Sequence, residues 1–141
     1  MKKYRIAILC LVSSVTFGVF AALTPSPEGA KVYIVSPKDG AELKSPVKVI
    51  FGLSGMGVAP AGMAAANTGH HHLMVDVKEL PNMKMPFPKN ENHIHFGGGQ
   101  TETVLNLAPG KHTLQLVLAD QAHFPHDPAV VSEKITITVR K

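Results

Sequence analysis

From Lys31 onward, apolar residues recur at every second position, the spacing of strands buried on one face. Val32 and Ile34 open the series, and the turn Ser36-Pro37-Lys38-Asp39-Gly40 ends it. Val47, Val49, Phe51 and Leu53 then define an inward face, and Leu73, Val75 and Val77 a third. Thr103, Leu105 and Leu107 fit another, Leu114, Leu116 and Leu118 the next, and Ile135, Ile137 and Val139 the last. The pattern predicts strands at 31–36, 46–54, 70–78, near 93–96, 101–107, 112–119 and 131–140. Residues 62–67 (GMAAAN) have room for one helical turn, too short to stand alone. The stretches 55–69, 79–92 and 120–130, rich in Gly, Pro, Asn and Met, read as loops.

About seven short strands in a domain of this length predict an all-β, immunoglobulin-like Greek-key sandwich. The turn into the sixth strand, Leu107 to Leu114, adds weight: His112 stands where many such sandwiches place a tyrosine bonded back to the main chain.

Residues 1–22 break the pattern. Lys2, Lys3 and Arg5 precede an apolar run from Ile6 to Phe20, and Val19-Phe20-Ala21 offers small residues before a cut near Ala21 or Ala22. These are the marks of a signal peptide, and the run is short for a span of about 20 residues. The expected organisation is a signal at 1–22, a linker at 23–30 and the sandwich at 31–141. The product would be periplasmic or secreted, with no membrane span after cleavage. Cys10 lies in the signal, so the mature chain would have neither a disulfide nor a thiol.

Three of the 14 basic residues and none of the 10 acidic ones fall in that signal, leaving 11 against 10, a net +1. With no basic patch interleaved with aromatics, nucleic acid is not an expected partner. What stands out is histidine: 8 residues, at 70, 71, 72, 93, 95, 112, 123 and 126.

Alternating strands place the loops after the second, fourth and sixth strands at one end. Seven of the eight histidines belong to segments that meet there. His112 lies at the other end, roughly 25 Å away at about 3.3 Å per residue. Neutral imidazole ligates copper, zinc, nickel and iron. His70 and His72 share a strand face, as do His93 and His95, while Pro125 and Pro128 restrict the loop bearing His123 and His126. These six residues are the candidate metal ligands, with Asp127 and Glu91 as carboxylates to orient a ring. The competing reading is a solvated, histidine-bearing edge. His71 is expected to be half-buried and hydrogen-bonded beside Leu73 and Val75, and His112 to be structural. Met56, Met63, Met83 and Met85 are expected in loops, where thioethers would favour Cu(I), although methionine more often fills gaps. Gly97-Gly98-Gly99 reads as a turn with positive φ.

Three strings carry a resemblance: His70-His71-His72-Leu73, then Glu91 to Glu102 (ENHIHFGGGQTE), then Pro109 to Leu118 (PGKHTLQLVL), continued by His123 to Pro128 (HFPHDP). Over roughly residues 50–141 the chain resembles a family of short exported bacterial proteins known only as a domain of unknown function, which implies no activity. Ser36 to Ala41 also resembles periplasmic copper-resistance sandwiches of the CopC type, although the N-terminal histidine typical of those proteins is missing.

The resulting expectation is a metal-binding carrier, chaperone or buffer, with copper favoured over zinc and another periplasmic protein as possible partner. The alternatives are an interaction module binding a protein or cell-wall glycan without metal, and a metal-dependent hydrolase or oxidase. No nucleophile motif and no HExxH helix supports the last.

Overall fold

The structure, a computed structural model, describes residues 23–141; the expected signal peptide and Cys10 lie outside the described residues. Nine strands follow in order: β1 (Lys31–Ser36), β2 (Glu42–Lys44), β3 (Val47–Ser54), β4 (Gly57–Val58), β5 (Thr68–Val75), β6 (His93–His95), β7 (Glu102–Leu105), β8 (Gly110–Ala119) and β9 (Ile135–Arg140). One sheet has the order β1-β3-β7 and the other β2-β9-β8-β5-β4, with β6 also paired to β5. The described residues thus form an all-β sandwich. Among the described residues there is no helix; Gly62 (φ 82°) and Asn67 (φ 55°) bound the alanine stretch with turn conformations instead.

The period-two alternation fills the space between the sheets. Val47, Val49 and Phe51 from one sheet meet Leu73, Val75, Leu114, Leu116, Leu118, Ile137 and Val139 from the other. Burying each such side chain contributes about 1.5–3 kcal/mol. Several expected strands are shorter than their patterns, and that at 101–107 keeps only Glu102–Leu105. β5 stops at Val75 because Asp76 turns into the left-handed region (φ 58°) and donates its N–H to Thr113 O. The last strand starts at Ile135, since 129–134 runs irregularly beside β8 through Val117↔Val131 and Ser132 N to Leu116 O. The turn at 36–41 is fastened to that last strand, with Asp39 Oδ1 accepting from Thr136 N and Gly40 N donating to Thr136 O.

β5 is buried on both faces. Its odd residues from His71 face the main core, while Met74 packs with Phe87, Val117 and Ala119 in a second cluster joined by Val77, Met83 and Val131. The outer face of the larger sheet is therefore covered by segments that follow β5 and β8. His70 and His72, alternating with the inward residues, lie under that cover.

Candidate metal centre

Strand pairing starts the site. His72 pairs with His95 across β5 and β6, and His70 with Ala119 at the end of β8. His70, His72 and His95 therefore share the outer face, and the segment leaving Ala119 returns His123 to them. The ring centroids of His70 lie 4.9, 5.0 and 5.1 Å from those of His72, His95 and His123. Their nitrogens converge too: His70 Nε2 is 3.0 Å from His72 Nε2, and His95 Nε2 is 3.1 Å from His123 Nε2. One ligand atom from each of His70, His72 and His95 falls within 4.8 Å of the others; His123 stands just outside that group, beside His95, its ring centroid 6.1 Å from that of His72. Four nitrogens each about 2.0–2.1 Å from one ion in tetrahedral array would be about 3.3 Å apart. The donor set fits a transition-metal ion, and three nearby histidines could bind one.

The electrostatics favour lone pairs over protons. Burial, followed by the repulsion of His95 and His123, lowers His70 to about 4 against a weaker upward pull from Asp120. Burial and then His70, His95 and His123 lower His72 to about 3. Burial, His123 and Lys89 push His95 down as well. The buried rings are neutral at pH 7, the form that ligates. Their Nδ1 atoms meet no protein partner, so no bond from behind fixes the tautomer of His70 or His72.

Two local features bring the rings together. A Cβ on Gly97 would overlap the ring of His95, so glycine there lets the imidazole fold back over its own chain. Of the three glycines only Gly99 has the expected positive φ (81°). His123 itself sits at φ 68°, a strained conformation for a residue with a Cβ. The 59–62 loop stitches these segments, with Ala61 N donating to Gly97 O at 2.8 Å and Gly62 N to Gln121 O at 2.9 Å.

The other histidines are placed differently. His93 pairs with Met74, one step further along the face, and its Nδ1 is 3.1 Å from Asn90 Oδ1. His126 is buried with its ring on main-chain oxygens, Nε2 3.2 Å from Thr68 O and Nδ1 3.5 Å from Leu118 O. Neither joins the converging four. His71 departs from expectation: it is wholly buried against Phe51, ring centroids 5.1 Å apart, with neither ring nitrogen partnered. Burial is the main influence on it and lowers its pKa. His112 is bonded as a structural residue, Nδ1 2.7 Å from Asp76 Oδ2 and Nε2 2.8 Å from Ala108 O.

The expected orienting carboxylates do not serve. Asp127 and Glu91 are exposed, and among the described residues neither side chain hydrogen-bonds a ring. Asp120, which sequence reasoning passed over, is the carboxylate whose charge reaches His70. A usable signal was present, since an aspartate three residues before His123 in a turn invites side-chain bonds to the following N–H groups. The methionines are not gathered here either: Met56 packs on the main core, Met83 on the second cluster, and Met63 and Met85 are exposed.

A family model described as "Domain of unknown function (DUF4399)" matches residues 49–140, which include all four converging histidines. No curated protein matches the chain. Among solved structures, the endo-beta-1,4-mannanase from Thermotoga petrophila is similar at 21% identity and a TM-score of 0.45. That alignment covers 79% of this chain but only 20% of the enzyme's, and a likeness so slight carries no argument.

Proposed function

The chain belongs to the DUF4399 family, and because that description assigns no activity we propose a function from its own side chains: an exported protein that binds one transition-metal ion, acting as a carrier, chaperone or buffer. The ligands are His70, His72, His95 and His123. One observation carries the reading, the approach of four ring nitrogens from three separate stretches, paired at 3.0 and 3.1 Å. In the metal-free protein the Nε2 atoms can only face one another in pairs, each pair sharing at most one proton, whereas an ion between them would accept every lone pair at once.

Copper is favoured over zinc because an all-imidazole site follows the Irving–Williams order, in which Cu(II) binds most strongly. The methionines' packing elsewhere removes the argument for Cu(I). With no cysteine after residue 10, the ligands suit the oxidising periplasmic or extracellular setting that the N-terminal pattern implies. An ion here would supply positive charge and Lewis acidity; the chain's own part is to hold the lone pairs of His70, His72 and His95 within reach, with His123 beside His95 as the fourth, and to exclude solvent from two of them.

The test is metal analysis of untagged protein followed by titration with Cu(II), Cu(I) and Zn(II). One ion per chain is expected, with Cu(II) tightest and both His95→Ala and His123→Ala weakening binding at least about ten-fold. Affinity no greater than that of an ordinary histidine-bearing surface would overturn the proposal in favour of an interaction module that needs no metal.

A further inference from the structure

The turn that delivers His123 is closed by one buried carboxylate. Asp120 is 5% exposed and accepts three hydrogen bonds: Oδ1 from Ala122 N at 2.9 Å and Phe124 N at 3.0 Å, and Oδ2 from Thr24 Oγ1 at 2.6 Å. Its main chain completes the loop, with Asp120 N donating to Phe124 O at 2.8 Å and His123 N donating to Asp120 O at 3.0 Å. Every residue of the turn except Gln121 is thus tied to Asp120, and His123 is held in its left-handed conformation between two such ties.

Thr24 brings in a segment remote in sequence. Asp127 N donates to Thr24 O at 3.0 Å, Pro25 bridges Asp127, and Ser26 Oγ donates to Pro128 O at 2.7 Å. Residues 24–26 are thus laid along the far arm of the histidine loop. This stretch ends on the Asp120 carboxylate, which also acts electrostatically on His70.

We propose that Asp120 is the positioning residue of the histidine cluster, holding His123 against His95 through the turn it closes and making residues 24–26 part of the same site through Thr24. The consequence for metal affinity rests on the metal reading above; the consequence for the turn does not. A strained backbone persists only where its surroundings over-determine it. Without the carboxylate, His123 relaxes out of the left-handed region and its ring leaves His95.

Cu(II) affinity is measured by chelator competition for the wild type, Asp120→Ala, His123→Ala and the double variant, alongside amide exchange of the metal-free proteins. Asp120→Ala is expected to weaken binding about ten-fold or more. In the His123→Ala background it should cost less than about two-fold, because its effect runs through that ring. An equal loss in both backgrounds overturns the proposal, since a merely structural residue behaves that way. Thr24→Val, which keeps the shape and removes the hydroxyl, should weaken binding about three-fold, and Asp120→Asn, which retains an acceptor for the turn, should bind more tightly than Asp120→Ala. Should Asp120→Ala fail to fold, these two carry the test, and wild-type affinity in Thr24→Val with unchanged exchange overturns it. In the metal-free protein, amides 122–124 should exchange about ten-fold faster in Asp120→Ala or Thr24→Val than in the wild type, with those of β8 unchanged. If the wild type binds no ion tightly, the metal reading falls by itself, and unchanged protection at 122–124 then overturns the positioning role as well.

Discussion

Two groups of histidines in this molecule meet opposite surroundings. On the outer face of β5 and β6, the rings of His70, His72, His95 and His123 face mainly one another, so a proton added to His70, His72 or His95 is repelled by neighbouring rings as well as opposed by burial. At the start of β8, both nitrogens of His112 face acceptors. Burial pulls its pKa down, but the Asp76 hydrogen bond, the Ala108 carbonyl and the Asp76 charge together raise it. The first group keeps lone pairs available; the second keeps a charge in place. A histidine's role here follows from what its two nitrogens meet, which residue type alone does not reveal.

The largest expected effect comes from removing a ring of the first group. His72→Leu fills the same covered site with apolar volume and should lower Cu(II) affinity by at least about a hundred-fold, measured by chelator competition. The metal-free protein should melt within a few degrees of the wild type, because the substitution removes the unpartnered Nδ1 but takes from His70 Nε2 its 3.0 Å neighbour. Unchanged affinity would remove the distinction between the two groups.

Acid separates them next. For His70 and His72 the folded pKa lies below the unfolded value of about 6.5, so the unfolded chain binds more protons between the two. Their contribution to metal-free stability is complete above pH 6.5 and is lost as pH falls toward 4 and 3. His70 alone accounts for on the order of 3 kcal/mol. Denaturant unfolding at pH 7 and pH 4.5 measures the loss, and His72→Leu should reduce it. Bound Cu(II) should be released over the same range, since protons and metal compete for the same lone pairs.

Much of the sandwich was legible because alternation reports directly on a half-buried strand: Val47, Val49, Phe51 and Leu114, Leu116, Leu118 point inward as their spacing requires. The shared face of His70 and His72 followed from the same rule. What the pattern missed depends on long-range chain path. Period two puts His93 and His95 on one face, but only the register with β5 shows that His95 meets His72 while His93 meets Met74. Spacing in a loop likewise gave no means of separating His123, turned inward by Asp120, from His126, whose ring reaches Thr68 O across 58 residues. The absence of a Cβ at Gly69 leaves room for that ring. The role of Gly97 was hidden for a related reason, since close approach of a neighbouring ring leaves no mark on local composition.

Gly97→Ala tests that approach with a smaller effect. The added methyl occupies the place of the His95 ring, which must rotate away from His123. Cu(II) affinity should fall about ten-fold by chelator competition, while the melting temperature drops by only a few degrees. Gly98→Ala, whose Cβ would meet only the flexible Gln100 side chain, is the control and should bind like the wild type.

The smallest effect lies at the second group and has the opposite pH sign. Asp76 accepts from His112 through Oδ2 and from Thr113 N through Oδ1 at 2.8 Å, which closes the turn where β5 ends. Its side chain is 42% exposed, so solvent screens the pair and Asp76→Asn should cost only about 1 kcal/mol at pH 6. Because the folded pKa of His112 is raised, the folded state holds its proton longer than the unfolded chain. The stabilisation is complete below pH 6.5 and is lost as pH rises through the folded value. Urea unfolding of the wild type and Asp76→Asn should therefore differ most in mild acid and converge above that value. Cu(II) affinity should be the same in both at every pH, because this histidine's nitrogens are committed to protein acceptors. A loss of metal in Asp76→Asn would mean that the two groups are coupled through β5, and the contrast between them would have to be redrawn as one extended network.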